Sequence, residues 1–412
     1  MFSELGNEKR SCGSLVNEHK LAILFIAISL LHLLYQLLLQ WERGQEIFDV
    51  YCYDYYCIDY GLTFGPRLLG GTIFGLLFPT RSAEPYIVFV SVFLAIYLVL
   101  IAIISERAVK KSEASIRPFT TILVLAFLIS PVSISFFAQT VNFGRFDLIL
   151  FIIAILCCIS VGHKNWVAWV IILSLIAMLI HEGYLFFSFP LIVLVMMYNL
   201  NSDANISFRQ GILIVLIVGS MFVILSKIPL TCDFDTMVEY AQSHSEITIL
   251  PEVYEEVYYY TISEELAKFG IGGTFWTTDR LIMLGLTVIL NAPIFYVFMR
   301  IWFGCYKLST EKWRRITYLC CMLSPLIIPI MMLIASDWNR WFACAMLTQF
   351  LMLLYLLNRQ DGVVQTVVRP ISEYIQNHKP VVVVCLVYVF LLGIFASISF
   401  QDSVVIIYEG IW

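Results

Sequence analysis

The chain has 412 residues, 60% of them hydrophobic and only 13% charged, with a net charge of −5 and a mean hydropathy of +0.86. Soluble domains carry about 25% charged residues, so these totals exclude a soluble globular domain, and no nucleic-acid partner is expected. The apolar segments run close to twenty residues and lack the short alternating pattern of barrel strands. The expected class is therefore all-α, a polytopic integral membrane protein forming one transmembrane domain over residues 1–412.

Met1–Lys20 is long and polar, and the apolar run Leu21–Leu39 exceeds a signal h-region without a small-residue cleavage site after it, so no cleavable signal is expected. Apolar runs bounded by polar residues predict eleven crossings, near 20–39, 84–104, 118–138, 148–162, 166–180, 184–200, 211–227, 281–301, 317–335, 342–357 and 381–399. Residues 40–83 form the first outer loop. Its glycine-rich apolar run Leu68–Phe78 is too short for the roughly 20 helical residues that a bilayer needs and reads as a re-entrant or surface-lying segment. The same tyrosine-rich stretch also fits an ordinary aromatic interfacial loop.

With the N-terminus inside, 17 lysines and arginines fall on the inner face and 8 on the outer, as the positive-inside rule favours. A full crossing after Arg67 would swap every later loop and reverse that bias, which supports the re-entrant reading. The longest outer loop, 228–280, holds ten acids from Asp233 to Asp279 against Lys268 and Arg280. It reads either as a lid over an outer cavity or as a solvated acidic loop. Pro251–Phe269 is expected to be amphipathic, with a helix beginning at Ser263 under a serine cap and first-turn acids, broken by Gly270, Gly272 and Gly273. The inner segment Asn358–Pro380 reads as a short surface piece. No internal repeat is visible. The eleven cysteines show no zinc spacing, so neither a metal nor a cofactor is expected; Cys52 and Cys57 could pair or stay free.

Ionisable groups near membrane depth cost about 2.5–3.5 kcal/mol each and need a reason. Four sets stand out. Arg67 lies in the first outer loop with Asp54 and Asp59; Arg145 and Asp147 lie in NFGRFD; His181 and Glu182 lie in LIHEGYLF; Asp337 and Arg340 lie in SDWNRW. All fall on the outer side of the expected topology, and they are expected to face one shared polar cavity. Arginine offers a planar fork that matches phosphate oxygens, so Arg67, Arg145 and Arg340 would suit a pyrophosphate head group. A carboxylate or neutral histidine beside them could accept a proton from a sugar hydroxyl, while arginines stabilise the departing pyrophosphate. Tyr51, Tyr53, Tyr55, Tyr56, Tyr60, Trp276, Trp338 and Trp341 could stack on sugar faces. The plainer alternatives are local ion pairs of Asp337 with Arg340 and of Arg145 with Asp147, and a buried core His181 partnered by Glu182.

The DYG…R…GG loop, the GRFD turn, the HEG hairpin and the DWNRW turn together resemble bacterial polysaccharide repeat-unit polymerases of the Wzy type, and more loosely the multi-span GT-C glycosyltransferases. The resemblance covers the hydropathy layout of the whole chain and is carried by those four short motifs. It departs from the arginine–glycine spacing of some O-antigen polymerases, since Arg145 has no glycine at the later position. It implies an undecaprenyl-pyrophosphate-linked oligosaccharide donor and acceptor in membrane lipid, with a chain-length regulator protein as a possible partner. Transfer would take place at the outer face of the bacterial plasma (inner) membrane, building O-antigen or capsular polysaccharide. Carried over, Arg67, Arg145 and Arg340, with Asp147, Asp337, Tyr60 and Trp338, would bind substrate and pyrophosphate, and His181 or Glu182 would assist the acceptor. Resemblance to GT-C enzymes implies instead a catalytic Asp54 or Asp59 and a polyprenyl-phosphate donor. A lipid-linked-oligosaccharide flippase is the competitor from another class; the odd number of spans and the absent repeat weigh against it.

Overall fold

The computed structural model of the chain describes residues 19–42, 44, 46–200, 206–228, 230–259, 267, 276–331 and 338–396. Their regular structure is helical, with only two isolated β-bridges, Arg81 to Ser245 and Leu200 to Ile206. Five helices among the described residues are long and apolar enough to cross a bilayer: Lys20–Glu42, Ala83–Lys111, Phe208–Leu225, Arg280–Leu308 and Arg340–Asn358. A sixth follows if the pair Gly362–Asn377 and Lys379–Leu392, bent by 105°, counts as one span. Their exteriors are apolar: Leu30, Leu31, Leu34 and Leu38 on the first helix and Val88 and Val92 on the second are exposed. Rows of exposed large apolar side chains on long helices are what lipid contact requires.

At the other five expected crossings the helices are short or interrupted. Residues 118–138 divide into Arg117–Leu128 and Ile134–Ala138 around the turn at Ser130–Pro131. Residues 184–200 divide at Ser188, ahead of Pro190, and residues 317–335 divide at the Ser324–Leu326 turn, with 332–335 outside the described residues. Asp147–Ser160 and Trp166–Ile180 are continuous but span only 14 and 15 residues. Serine and proline supply these breaks, because proline removes a helical donor and clashes with the preceding turn. Leu68–Leu77 is a ten-residue helix, as the short-segment reading requires.

Ala83–Lys111 is the central post, packed against Lys20–Glu42, Arg117–Leu128, Asp147–Ser160 and Arg340–Asn358. Two faces of the bundle then differ. One, here called the loop face, gathers 46–83, 139–146, 181–188 and 230–259. The opposite face is knotted by Asp361, which caps Val364 N at 2.7 Å and accepts from Tyr198 at 2.7 Å and Tyr318 at 2.9 Å. There the expected surface segment becomes the helix Gly362–Asn377, which buries Val364, Val368 and Ser372 and leaves Arg369, Glu373 and Tyr374 outside.

In the long loop an unforeseen helix, Phe234–His244, starts where the Asp233 side chain accepts Thr236 N at 2.8 Å. Pro251–Tyr254 is helical and continues into a π-turn, Glu255–Tyr259; the helix expected from Ser263 and the glycine cluster after it lie outside the described residues. Cys52 and Cys57 are free and buried, their thiols turned to Val141 O and Tyr53 O.

The loop face is set by close backbone contact. A Cβ built on Gly71 would meet Ile58 O at 1.9 Å, so only glycine lets the short helix lie against the preceding turn. Gly144, at φ +88, would place a Cβ 1.7 Å from the Tyr86 hydroxyl. Gly71→Ala should therefore lower stability by about 1–3 kcal/mol, as overpacking does, whereas Gly211→Ala, whose Cβ meets nothing, should not. Melting curves of the two purified variants check this.

Candidate functional site

Arg67 opens the short helix in the left-handed region, at φ 65. A non-glycine residue held there marks a site worth explaining. Its guanidinium forks onto Glu182: Nε donates to Oε1 at 2.7 Å and to Oε2 at 3.0 Å, and the second arm also reaches Oε1. The remaining nitrogen donates to Val257 O at 3.3 Å, tying the loop's π-turn to the same arginine. Arg340 makes a matching fork onto Asp147, with Nη2 to Oδ1 at 2.9 Å and Nε to Oδ2. Its flat guanidinium lies 4.5 Å from the Phe187 ring centroid, and Phe187 stacks on Trp341 at 4.4 Å. Asp147, the first residue of its helix, sits where the helix dipole favours an anion.

His181 lies between the two forks. Burial pushes it down to about 3, Glu182 and Asp147 oppose this, and Arg67 and Arg340 add to it, so the ring is neutral at physiological pH. Its Nδ1 accepts Gly183 N at 2.9 Å, which leaves the proton on Nε2. The ring is thus a hydrogen-bond donor in this conformation, with no lone pair available on its other nitrogen. Glu182 is held down to about 2: burial works the other way, and the charge and hydrogen bonds of Arg67 outweigh it. Phe146 and Phe187 pack on the two sides of the histidine, with centroids 6.3 and 5.9 Å away.

Around Arg67 stand tyrosines. The hydroxyls of Tyr60 and Tyr258 are buried with no partner, and Tyr258 feels the charges of Arg67 and Glu182. Buried unpaired hydroxyls are uncommon and mark places where water or a ligand completes the bonding. Near Arg340 a small cleft of about 20 Å³ lies between Phe186, Phe187, Pro190, Ile327, Trp341 and Thr348, and its wall is mostly apolar.

The four expected sets therefore meet as follows. Arg67, Glu182, His181, Asp147 and Arg340 form one cluster. Asp147 takes its fork from Arg340 and not from Arg145, and Glu182 pairs with Arg67. Arg145 stands near, its Nε donating to Val141 O at 2.9 Å and its guanidinium 5.7 Å from the Tyr51 ring. Asp337 and the Trp338 side chain lie outside the described residues.

The two loop aspartates hold architecture. Asp59 pairs with the buried Arg81 and accepts from Tyr240 at 2.9 Å. Asp54 is fully buried, and its Oδ2 accepts Leu250 N at 2.8 Å. Tyr53, Tyr55 and Tyr56 are packed too deeply to offer faces to a sugar; Tyr53 and Tyr56 donate to Arg81 O at 2.8 Å and Gly144 O at 2.6 Å. Trp341 is likewise buried against Phe187.

Arg81 went unremarked as a site residue, yet it is the hinge of the loop face. Its backbone bridges to 244–246 and its side chain binds Asp59 and Cys57 O. The available signal was a lone arginine between apolar runs. No family model matches the chain, and neither a curated protein nor a solved structure does.

Asp54 gives a pH test of this architecture. Burial raises its carboxyl to about 7, opposed by the Leu250 bond, and its Oδ1 has no partner. A carboxyl whose folded pKa lies above the unfolded value of about 3.9 binds its proton more tightly when folded. Stability is then fully present below about pH 4 and lost as pH rises through 7. The melting temperature should fall across that window, and Asp54→Asn should flatten the dependence. Equal slopes in both proteins would remove the assignment.

Proposed function

We propose that the chain is a membrane glycosyltransferase that joins undecaprenyl-pyrophosphate-linked oligosaccharide repeat units into a polysaccharide, with the loop face outward. Two arginine–carboxylate forks flanking a neutral buried histidine, next to an apolar cleft in an apolar helical bundle, support the reading most. Arginine binds phosphate oxygens through the same fork geometry it uses for carboxylate, so an entering pyrophosphate competes directly with Glu182 or Asp147.

That competition suggests a mechanism. Glu182 is a weak base while Arg67 holds it. A donor pyrophosphate taking over Arg67 removes the cation that keeps its proton affinity low. Glu182 then becomes able to accept the proton of an acceptor hydroxyl as that oxygen forms its bond to the anomeric carbon and the bond to pyrophosphate breaks. Arg67 and Arg340 offset the charge developing on the leaving pyrophosphate. The Nε2–H of His181 donates to a sugar or phosphate oxygen. In this scheme Arg145 widens the basic surface, and eleven crossings carry the site with the shorter helices at membrane depth.

Arg67→Lys and Arg340→Lys keep the charge and lose the fork. Each should cut the yield of long chains in polysaccharide ladders by about a hundredfold, the lower end of what loss of one charge-stabilising donor costs, with immunoblots showing the protein inserted. Wild-type ladders from both variants would sink the phosphate assignment. Purified protein given only lipid-pyrophosphate oligosaccharide should lengthen it. A need for a polyprenyl-monophosphate sugar would point to single-sugar transfer, and movement without elongation to a flippase.

A further inference from the structure

The first long helix, Lys20–Glu42, is built inside out. Its buried residues are Ala22, Phe25, Ser29, His32, Gln36 and Gln40, spaced three or four apart on one face, and the last four are polar. Lipid offers nothing to a polar group, so such a face must be satisfied from within the bundle. Two of its members are. Gln36 Nε2 lies 3.1 Å from His32 Nε2, and His32 Nδ1 lies 3.3 Å from Leu128 O. A carbonyl can only accept, so Nδ1 carries the proton and Nε2 accepts from the amide.

The rest are not. Ser29 Oγ, Gln36 Oε1 and Gln40 Oε1 are buried without a partner. Three orphaned oxygens on one helix face would each cost about 1–3 kcal/mol if dry. Native structures satisfy such groups with ordered water.

We infer that these oxygens bind a file of water along the buried seam on the inward face of this helix. It extends from Gln40 to Ser29, about 16 Å at 1.5 Å per residue, roughly half the hydrocarbon thickness. It brings water to His32 in the middle of the bundle, well away from the arginine forks. The seam stands apart from the glycosyl-transfer reading.

Cysteine accessibility in lipid nanodiscs, where both faces meet solvent, tests it. Gln36→Cys and Gln40→Cys should react with a charged, membrane-impermeant methanethiosulfonate at least about tenfold faster than Leu34→Cys and Leu38→Cys, because attack requires a hydrated thiolate. Leu34 and Leu38 lie on the exposed apolar side of the same helix, both 53% accessible. Labelling is read by mass spectrometry against the unsubstituted chain, and equal rates at all four positions overturn the proposal. Gln40→Met provides a readout that needs no labelling. In a dry seam, removing an orphaned acceptor raises the melting temperature; in a hydrated seam it is unchanged or lower.

Discussion

The loop face depends on the pairing of arginine with carboxylate across long stretches of chain. Arg67 and Glu182 are 115 residues apart, and Arg340 and Asp147 are 193 apart. Each member alone would be a charge held close to an apolar bundle. Joined by two or more hydrogen bonds, each pair becomes nearly neutral and directional. The Arg340–Asp147 fork is the more deeply set, at 11% and 1% side-chain exposure against 21% and 19% for Arg67–Glu182. The Arg67 pair is therefore the more open of the two to an incoming anion, and the Arg340 pair the more firmly built.

Burial then decides what each titratable group can do. Four side chains have the chemistry of a base: Asp54, Asp59, His181 and Glu182. Asp54 is enclosed under Leu250, Asp59 is bound by Arg81 and Tyr240, and His181 uses its one acceptor on the Gly183 amide. Of these four, Glu182 keeps its basicity in reserve, because what suppresses it is a cation that a phosphate can draw away. The same geometry explains why the loop aspartates matter without touching the forks. They fasten the segments 53–59, 81 and 244–250 into the wall against which the short glycine helix lies.

How far this was legible in the sequence follows from range. The short glycine helix could be read because its length alone bars a crossing. The convergence of Arg67, Arg145, His181, Glu182, Arg340 and Asp147 on one face could be read because each sits where an apolar run ends. Which acid meets which arginine could not be read, since nearby spacing favoured Arg145 with Asp147 while the fold supplied Arg340. Helix continuity was overstated for a related reason. Hydropathy sums over Ser130–Pro131, Ser188 and Ser324–Pro325 without registering the broken backbone, and so reports full spans where the helices stop and restart. The helix at Phe234 was missed although Asp233 and Thr236 carry an ordinary cap signal, because an acidic loop offers no apolar run to draw attention.

The first helix shows the limit of composition from the other side. A sequence rich in leucine reads as an ordinary span, and a single histidine in it reads as a packing residue. Only the facing of Ser29, His32, Gln36 and Gln40 reveals that its polar groups all turn inward while Leu30, Leu31, Leu34 and Leu38 turn out. In water such a helix would be turned round, with its leucines buried and its amides exposed. Its orientation is the one that hydrocarbon outside and hydrogen-bonding groups within would select. Lipid exposure and an internal polar seam are thus two consequences of one arrangement.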